Sequence, residues 1–213
     1  MIEAVLVTLL PAGFLSILFG GGALFLRRNI KQDGEAPINR MLFYASKYAI
    51  LVLWVAMIVQ SWGISISVVE VPRVVRIIAL VFWTGGFVLL YLGRFTMGDS
   101  FRLGTPNEDT HLKTDGLFRL SRNPMYVGVY ATIAAASLTT LNPVVILLGA
   151  FVIAVHHRIV LAEEKHLQNV SGREYLEYCS RVRRYIPLPA CGLYQKAISN
   201  TERTVNQDMQ DPF

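Results

Sequence analysis

Charged side chains are scarce in this chain. Only 16% of its 213 residues are charged, whereas 53% are hydrophobic. A soluble domain of this size usually has about a quarter of its residues charged. The charges that are present fall between long apolar runs. The composition therefore argues against an ordinary soluble domain and predicts an integral membrane protein.

Several signatures of other protein classes are also missing. The two cysteines, Cys179 and Cys191, form neither a metal-type spacing nor a disulfide framework. The four histidines make no H-x-x-x-H or H-E-x-x-H pattern, and no glycine-rich phosphate loop is present, so neither a metal site nor a nucleotide cradle is predicted. The N-terminus shows no cleavable signal peptide. The net charge of +5 is better explained by loops that face anionic lipid than by nucleic acid, which is not an expected partner.

Five apolar runs are candidates for transmembrane helices, each of which needs roughly 20 residues. The first three lie at 4–26, 48–66 and 74–92. A polar stretch at 93–123 separates them from two shorter runs at 126–141 and 144–161. The Asn-Pro pair at 142–143 is a turn signal, so the last two runs should form a helical hairpin. We therefore predict an all-α fold with about five transmembrane helices, a cytoplasmic C-terminal helix and a disordered tail from about residue 200.

The positive charges predict the orientation and the organisation of the chain. With five spans and the N-terminus outside, 18 of the 20 Lys and Arg residues fall in cytoplasmic segments, and only Arg73 and Arg76 lie outside. The C-terminus is then cytoplasmic, in a bacterial inner membrane or the endoplasmic reticulum. We expect residues 1–92 to form three N-terminal transmembrane helices and residues 93–213 to form a cofactor-binding catalytic region.

Two polar segments should meet on the cytoplasmic side, THLKTDGLFRLSRNPMYVG before the fourth span and HHRIVLAEEKHL at the end of the fifth. In the first, Asn123 suits a helix cap and Pro124 suits the first helical turn. In the second, the apolar run stops after Val155. Ionisable groups that enter a membrane against protein suggest function. The alternatives are that Arg158 and the histidines only reach the interface, and that the glutamates form a solvated face.

The two polar segments also resemble a known family. LKTDGLFRLSRNPMYVG followed by AEEKHLQNVSGREYLEYCSRVRRYIP resembles the C-terminal half of the isoprenylcysteine carboxyl methyltransferase and phospholipid methyltransferase superfamily, over residues 110–187. The resemblance implies S-adenosylmethionine as the methyl donor, bound in a cytoplasm-facing pocket. It also implies a lipophilic small molecule or lipid as the acceptor, which enters from the membrane.

The resemblance further implies ten cofactor-binding positions. These are Thr110, His111, Leu112, Lys113, Phe118, Asn123, Pro124, Met125, Tyr126 and Glu163. Asn123 replaces the family's usual histidine, and Phe118 replaces a tyrosine. Two further residues are catalytic candidates: Arg158 to orient an acceptor carboxylate and Glu164 to serve as base for an amine, a role that a histidine could also fill. The arginine of the prenylcysteine enzymes corresponds to Ile159, so Arg158 is one residue out of register, or about 100° around a helix.

The function that the resemblance implies is methyl transfer to a lipophilic acceptor, as in isoprenylcysteine carboxyl O-methyltransferases. A carboxylate or other small anionic acceptor is favoured slightly over an amine, which would make the protein a phospholipid N-methyltransferase. Two other readings stay open. One is a membrane reductase of the sterol-reductase type that binds NADPH, and the other is a membrane scaffold without catalysis.

Overall fold

The computed structural model describes residues 1–27, 37–97 and 112–186. All regular structure in these ranges is helical, which confirms the all-α prediction. The helices are α1 (Ile2–Arg27), α2 (Arg40–Ser61), α3 (Arg73–Met97), α4 (Pro124–Thr140) and α5 (Pro143–Arg181), with a short 3₁₀ turn at Gly116–Arg119 before α4. Thr110, His111 and the tail expected from residue 200 lie outside the described residues.

Three of the described helices, α2, α3 and α5, are long and apolar enough to cross a membrane. In α1 a shorter apolar stretch occupies Ile2–Leu18. At 17 residues, α4 extends about 25 Å, somewhat less than a hydrocarbon core of about 30 Å. The helices therefore agree with a membrane protein, while the number of five spans stays a prediction.

The second helix departs from the predicted range of 48–66. It begins eight residues earlier because Asn39 caps it, with Oδ1 accepting a hydrogen bond of 2.9 Å from the Met41 N–H. It ends at Ser61, just before Gly63, whose φ of +89° is incompatible with a continued helix. The apolar run and the helix therefore do not coincide. The last residues of the run form a loop after α2, and Lys47, which precedes the run, lies inside the helix.

The fifth helix extends far beyond its predicted end at residue 161. It continues to Arg181 and bends at Gly172, where φ is +46° and ψ is −117°. The predicted C-terminal helix is therefore the bent continuation of α5. At the other end, Asn142 caps α5 by accepting a hydrogen bond of 2.9 Å from the Val144 N–H, and Leu141 adopts a left-handed conformation between α4 and α5. These two residues make the predicted hairpin turn.

Close packing of α3 against α4 fixes the centre of the fold. Gly86 and Gly128 face each other, and a Cβ atom on Gly128 would lie 2.7 Å from the carbonyl oxygen of Gly86. The missing side chains let the two backbones touch. The buried indole of Trp54 on α2 donates a hydrogen bond of 3.0 Å to Thr132 on α4. Rings of Phe14, Trp83 and Phe87 pack edge-on around this contact and join α1 to the core.

The helix directions gather the polar segments at one end of the bundle. The hairpin turn lies at the opposite end, where the Asn142 side chain donates a hydrogen bond of 2.7 Å to the Ile66 carbonyl. Consequently, the start of α4 and the charged part of α5 lie together at the far end, as the sequence predicted. The predicted division at 92/93 falls inside α3, and the two-part organisation stays a prediction.

Candidate active site

A buried carboxylate, Glu164, lies at the centre of the polar end. Its Oε1 accepts a hydrogen bond from Arg122 Nη2 at 3.1 Å. Its Oε2 accepts from Arg184 Nη2 at 2.8 Å and from Arg184 Nε at 3.0 Å. The side chains of Glu164 and Arg122 are only 11% and 6% exposed. Both carboxylate oxygens are thus held by guanidinium groups that come from segments distant in sequence.

The chain after α5 folds back over the start of α4 at residues 182–185. The Arg122 N–H donates to the Arg183 carbonyl at 2.9 Å, and Arg122 Nη1 donates to the Val182 carbonyl at 2.8 Å. Ser121 Oγ donates to the Arg184 carbonyl at 3.0 Å. Although burial lowers the pKa of the Arg122 guanidinium, the neighbouring Glu164 carboxylate helps to raise it above its usual value. Arg122 therefore stays charged and fastens this segment, which we call the C-terminal clasp.

Asn123 does not cap α4, contrary to the sequence-based expectation. Its side-chain amide instead donates to Glu164 Oε1 at 3.2 Å and to the Arg184 carbonyl at 3.4 Å. The Asn123 side chain thus hydrogen-bonds to the buried carboxylate and the C-terminal clasp instead of to the backbone N–H groups at the start of α4. Pro124 does occupy the first turn of α4, as predicted. The N-terminus of α4 consequently has no side-chain cap from Asn123 and keeps its capacity to bind an anion.

Tyr126, in the first turn of α4, contacts Glu163, the residue directly before Glu164. Its hydroxyl donates a hydrogen bond of 2.9 Å to Glu163 Oε1. The Tyr126 ring meets the imidazole of His156 edge-on at 5.8 Å and packs against the buried side chains of Phe43 and Ile159. His156 and Glu163 are seven residues apart on α5 and both contact Tyr126. The two adjacent glutamates therefore differ: Glu164 is enclosed by arginines, whereas Glu163 meets an aromatic wall.

A further polar pair lies nearer the apolar part of α5. His157 Nδ1 is 2.8 Å from the hydroxyl of Tyr185 on the C-terminal clasp. The Tyr185 ring also packs against Tyr130 of α4, with ring centroids 5.5 Å apart. Tyr130 follows Tyr126 by one helical turn. Aromatic side chains thus continue from the Tyr126–Glu163 contact toward the middle of the bundle.

The remaining predicted site residues are less closely gathered. Leu112 and Phe118 pack on the cluster of Tyr175, Tyr178 and Cys179 on the bent end of α5. Tyr178 donates a hydrogen bond of 2.6 Å to the Phe118 carbonyl.

Three other predicted residues have different surroundings. Met125 packs against Gly93 of α3, and Lys113 is half-buried. Arg158 is exposed on α5, next to Ile159, which is buried. The structure therefore brings Asn123, Tyr126, Glu163 and Glu164 together and leaves Arg158 on the outer face.

Arg122, Arg184 and Tyr185 were not among the residues that the sequence indicated for the site. A signal for the arginines was present, because a Glu that is buried on a helix needs a cationic partner. The pair at 183–184 and Arg122 were the nearby candidates. No such signal existed for Tyr185, whose position depends on how the clasp returns along α5.

One comparison with known proteins finds a match in this part of the chain. Residues 74–174 match the family model for phospholipid methyltransferase. This match is consistent with the membrane methyltransferase superfamily. The matched range of the methyltransferase domain begins in the first turn of α3 and ends just beyond the bend in α5. It includes Arg122, Tyr126 and both central glutamates, whereas Arg184 and Tyr185 follow it. A search of curated proteins finds no match to the chain.

Family and fold together indicate an integral membrane protein with transferase activity. The apolar helices alone would fit a transporter, a reductase or a scaffold equally well. The matched family is a methyltransferase family, which favours methyl transfer over hydride transfer or a purely structural role. A membrane methyltransferase would act on a lipid-like substrate in the bilayer.

Proposed function

We propose that the protein transfers a methyl group from S-adenosylmethionine to an amine in the headgroup of a membrane lipid. The observation that carries this proposal is the contact between Tyr126 and Glu163 beside the start of α4. It combines an aromatic face, a carboxylate and a helix N-terminus in one place. When bound, S-adenosylmethionine supplies an electrophilic methyl group on a sulfonium. The proposed site would lie at the cytoplasmic end of the bundle, as the distribution of positive charge predicts.

The chemistry of the residues present fits this cofactor. A carboxylate such as Glu163 suits its ammonium group through a charge-assisted hydrogen bond. The N–H groups at the start of α4 suit its carboxylate, since the Asn123 side chain does not cap them. Tyr126 offers an aromatic face for the sulfonium or the adenine. Thr110, His111, Leu112, Lys113, Phe118, Pro124 and Met125 stay proposed as further cofactor contacts.

Glu164 is better suited to positioning than to proton transfer. Arg122 and Arg184 occupy both of its oxygens, and a base needs an accessible lone pair directed at its substrate. By holding Arg122 and the Asn123 amide, Glu164 fixes the loop that leads into α4. This loop sets the position of Tyr126, on which the orientation of a bound donor would depend. Methyl transfer needs such close approach and exclusion of water more than it needs strong acid–base catalysis.

The position of Arg158 favours an amine over a carboxylate acceptor. An acceptor carboxylate would need a cation such as Arg158 directed into the site. Arg158 is instead exposed, while Ile159 takes the buried position that corresponds to the arginine of the prenylcysteine enzymes. An acceptor amine needs no such cation, so it is compatible with the exposed position of Arg158. Esterification of an isoprenylcysteine-type carboxylate is the second candidate, supported by the resemblance over residues 110–187.

Two measurements test the proposal. Calorimetry on detergent-purified protein should detect binding of S-adenosylhomocysteine and none of NADPH. Transfer of labelled methyl to a panel of lipids should then yield base-stable product in amine headgroups. Base-labile methyl ester would indicate the carboxylate acceptor instead. Binding of neither cofactor would support the scaffold reading and overturn the proposal.

A further inference from the structure

The hydrogen-bonded pair of His157 and Tyr185 takes no part in the cofactor contacts proposed above. The 2.8 Å contact joins α5 to the C-terminal clasp, and the two rings lie 5.9 Å apart with an angle of 48° between their planes. Both side chains are only half-buried. A hydroxyl and an imidazole that are partly accessible and already hydrogen-bonded form a unit that can move a proton.

Three anchors hold Tyr185 in this position. The adjacent Arg184 is fixed to Glu164 through its side chain and to Ser121 through its carbonyl. The Tyr185 ring rests against Tyr130 of α4. The position of the Tyr185 hydroxyl is thus determined by α4, α5 and the loop before α4 together, rather than by a single flexible contact.

The pair lies beside the proposed methyl donor site, on its membrane side. His157 precedes Glu163 by six residues, or about 9 Å along α5 in the direction of the apolar stretch. Tyr130, which packs on Tyr185, lies one turn beyond Tyr126 on α4. The Glu163 carboxylate is close enough to act electrostatically on Tyr185. A lipid headgroup that enters from the bilayer would therefore pass this pair as it approaches Glu163.

An amine acceptor must lose a proton before it can be methylated, and this pair could accept that proton. A lipid amine is an ammonium ion near neutral pH and has no lone pair with which to attack the methyl group, so it must first lose a proton. Burial raises the pKa of the Tyr185 hydroxyl, although the neighbouring Tyr130 hydroxyl and the Arg184 guanidinium oppose this rise. A neutral hydroxyl can take up the ammonium proton only if it gives up its own, so Tyr185 needs a partner that accepts that proton.

We propose that His157 and Tyr185 form a proton-accepting dyad for the amine substrate, an inference that rests on the proposed function. The ammonium gives its proton to Tyr185 Oη while the hydroxyl proton of Tyr185 moves to His157 Nδ1. The freed nitrogen lone pair then forms the N–C bond as the S–C bond of the donor breaks and its electron pair stays on sulfur. His157 later releases the proton to water. The methylated product is again an ammonium ion, and a second transfer would need the dyad again.

The variant Tyr185→Phe tests the dyad because it keeps the ring that packs on Tyr130 and removes only the hydroxyl. We expect kcat with an ethanolamine lipid to fall about 10²- to 10⁴-fold, the usual contribution of a positioned proton acceptor. The affinity for S-adenosylhomocysteine should change less than twofold. Tyr91→Phe is the matched control, since it also removes a hydrogen-bonded tyrosine hydroxyl, one that donates to the Leu10 carbonyl between α3 and α1. It should keep kcat within threefold.

A second acceptor separates proton transfer from a structural role. A lipid with a trifluoroethylamine headgroup is largely unprotonated at neutral pH and needs no proton acceptor before attack. The ratio of wild-type kcat to Tyr185→Phe kcat should therefore shrink to near one on this lipid. An equal ratio on both lipids, or wild-type kcat in the variant, would overturn the dyad. If Tyr185→Phe does not fold, the same two ratios are measured with His157→Gln, for which the same results are expected.

The outcomes also distinguish the dyad from the proposed function. Wild-type protein that binds no S-adenosylhomocysteine would overturn both. Wild-type protein that binds it and methylates only carboxylates would overturn the amine acceptor and the dyad together, because a carboxylate has no proton to lose. Methylation of amines that Tyr185→Phe leaves unchanged would overturn the dyad alone and leave the proposed function standing.

Discussion

The hydroxyl of Tyr126 donates a hydrogen bond of 2.9 Å to Oε1 of Glu163 across 37 residues of sequence. This contact joins the start of α4 to the charged part of α5. It uses one oxygen of Glu163, whereas Glu164 has both oxygens engaged with arginines. Substitutions at these neighbouring glutamates should therefore have different consequences.

Glu163→Gln should weaken cofactor binding with little effect on stability. The amide oxygen of Gln can still accept from Tyr126, but the charge that would meet the cofactor ammonium is gone. A charge-assisted contact is worth roughly 1.5–3 kcal/mol, which corresponds to about one to two decades in affinity for S-adenosylhomocysteine. Calorimetry measures this affinity directly.

The control for this substitution is Glu177→Gln, on the same helix. Glu177 pairs with Arg173 one turn away at a site where both side chains are mostly exposed. Such pairs contribute little, so binding should match that of the wild type. If Glu163→Gln also binds as tightly as the wild type, Glu163 does not hold the ammonium.

Glu164→Gln should instead destabilise the fold. It would leave the buried Arg122 guanidinium without its carboxylate, and breaking a buried pair in this way costs about 3–5 kcal/mol. Thermal unfolding in detergent should show a clear drop in Tm. Arg122→Gln should cost more than Arg184→Gln, because the Arg184 side chain is 33% exposed and Arg122 only 6%. Equal Tm values for Glu164→Gln and the wild type would contradict this account of the site.

Gly86→Ala should loosen the contact between α3 and α4. The added Cβ would lie 2.8 Å from the Gly128 carbonyl oxygen, and backbone atoms can yield only if the helices separate. Forcing a methyl group into such a contact costs about 1–3 kcal/mol. Thermal unfolding in detergent provides the measurement.

The adjacent glycine supplies the control. Gly85 has no atom within 4 Å of an added Cβ. Gly85→Ala should be neutral or up to about 1 kcal/mol stabilising, since alanine favours the helix. A Tm lowered equally in both variants would show that helix propensity, rather than the contact with Gly128, accounts for the loss.

The sequence predicted the helices well where an apolar run and its end signals coincide. Asn142-Pro143 marks the hairpin turn because both residues favour the start of a helix. The second helix was misplaced because hydrophobicity extends into its following loop, whereas Asn39 and Gly63 determine its ends. The length of α5 was missed for the opposite reason: its charged half is not apolar, yet it contains no helix-breaking residue before Gly172.

The candidate site was predictable in part. Family resemblance indicated Asn123, Tyr126 and Glu163, and their proximity follows from the hairpin. The pairing of Glu164 with Arg122 and Arg184 was not predictable, because either glutamate could have faced the arginines. That choice depends on the rotation of α5 and on the return of the chain after Val182. Both are consequences of tertiary packing.

The orientation predicted from positive charge can be tested by cysteine labelling in intact cells. In a background without Cys179 and Cys191, a cysteine at Ser67 should react with a membrane-impermeant reagent because it lies at the hairpin end of the bundle. Cysteines at Gly34 and Val205 should be protected until the cells are permeabilised. Labelling of position 205 from outside would contradict the five-span arrangement with a cytoplasmic C-terminus.

Arg158 provides the last test, because its role depends on the acceptor. Its exposed position on α5 suits contact with a lipid phosphate, where lysine is a fair substitute for arginine. We therefore expect Arg158→Lys to keep most of the methyl transfer to an amine lipid and Arg158→Gln to raise KM with little change in kcat. A bidentate contact with an acceptor carboxylate would not tolerate lysine. A steep fall in methyl ester formation by Arg158→Lys would accordingly favour the carboxylate acceptor over the amine.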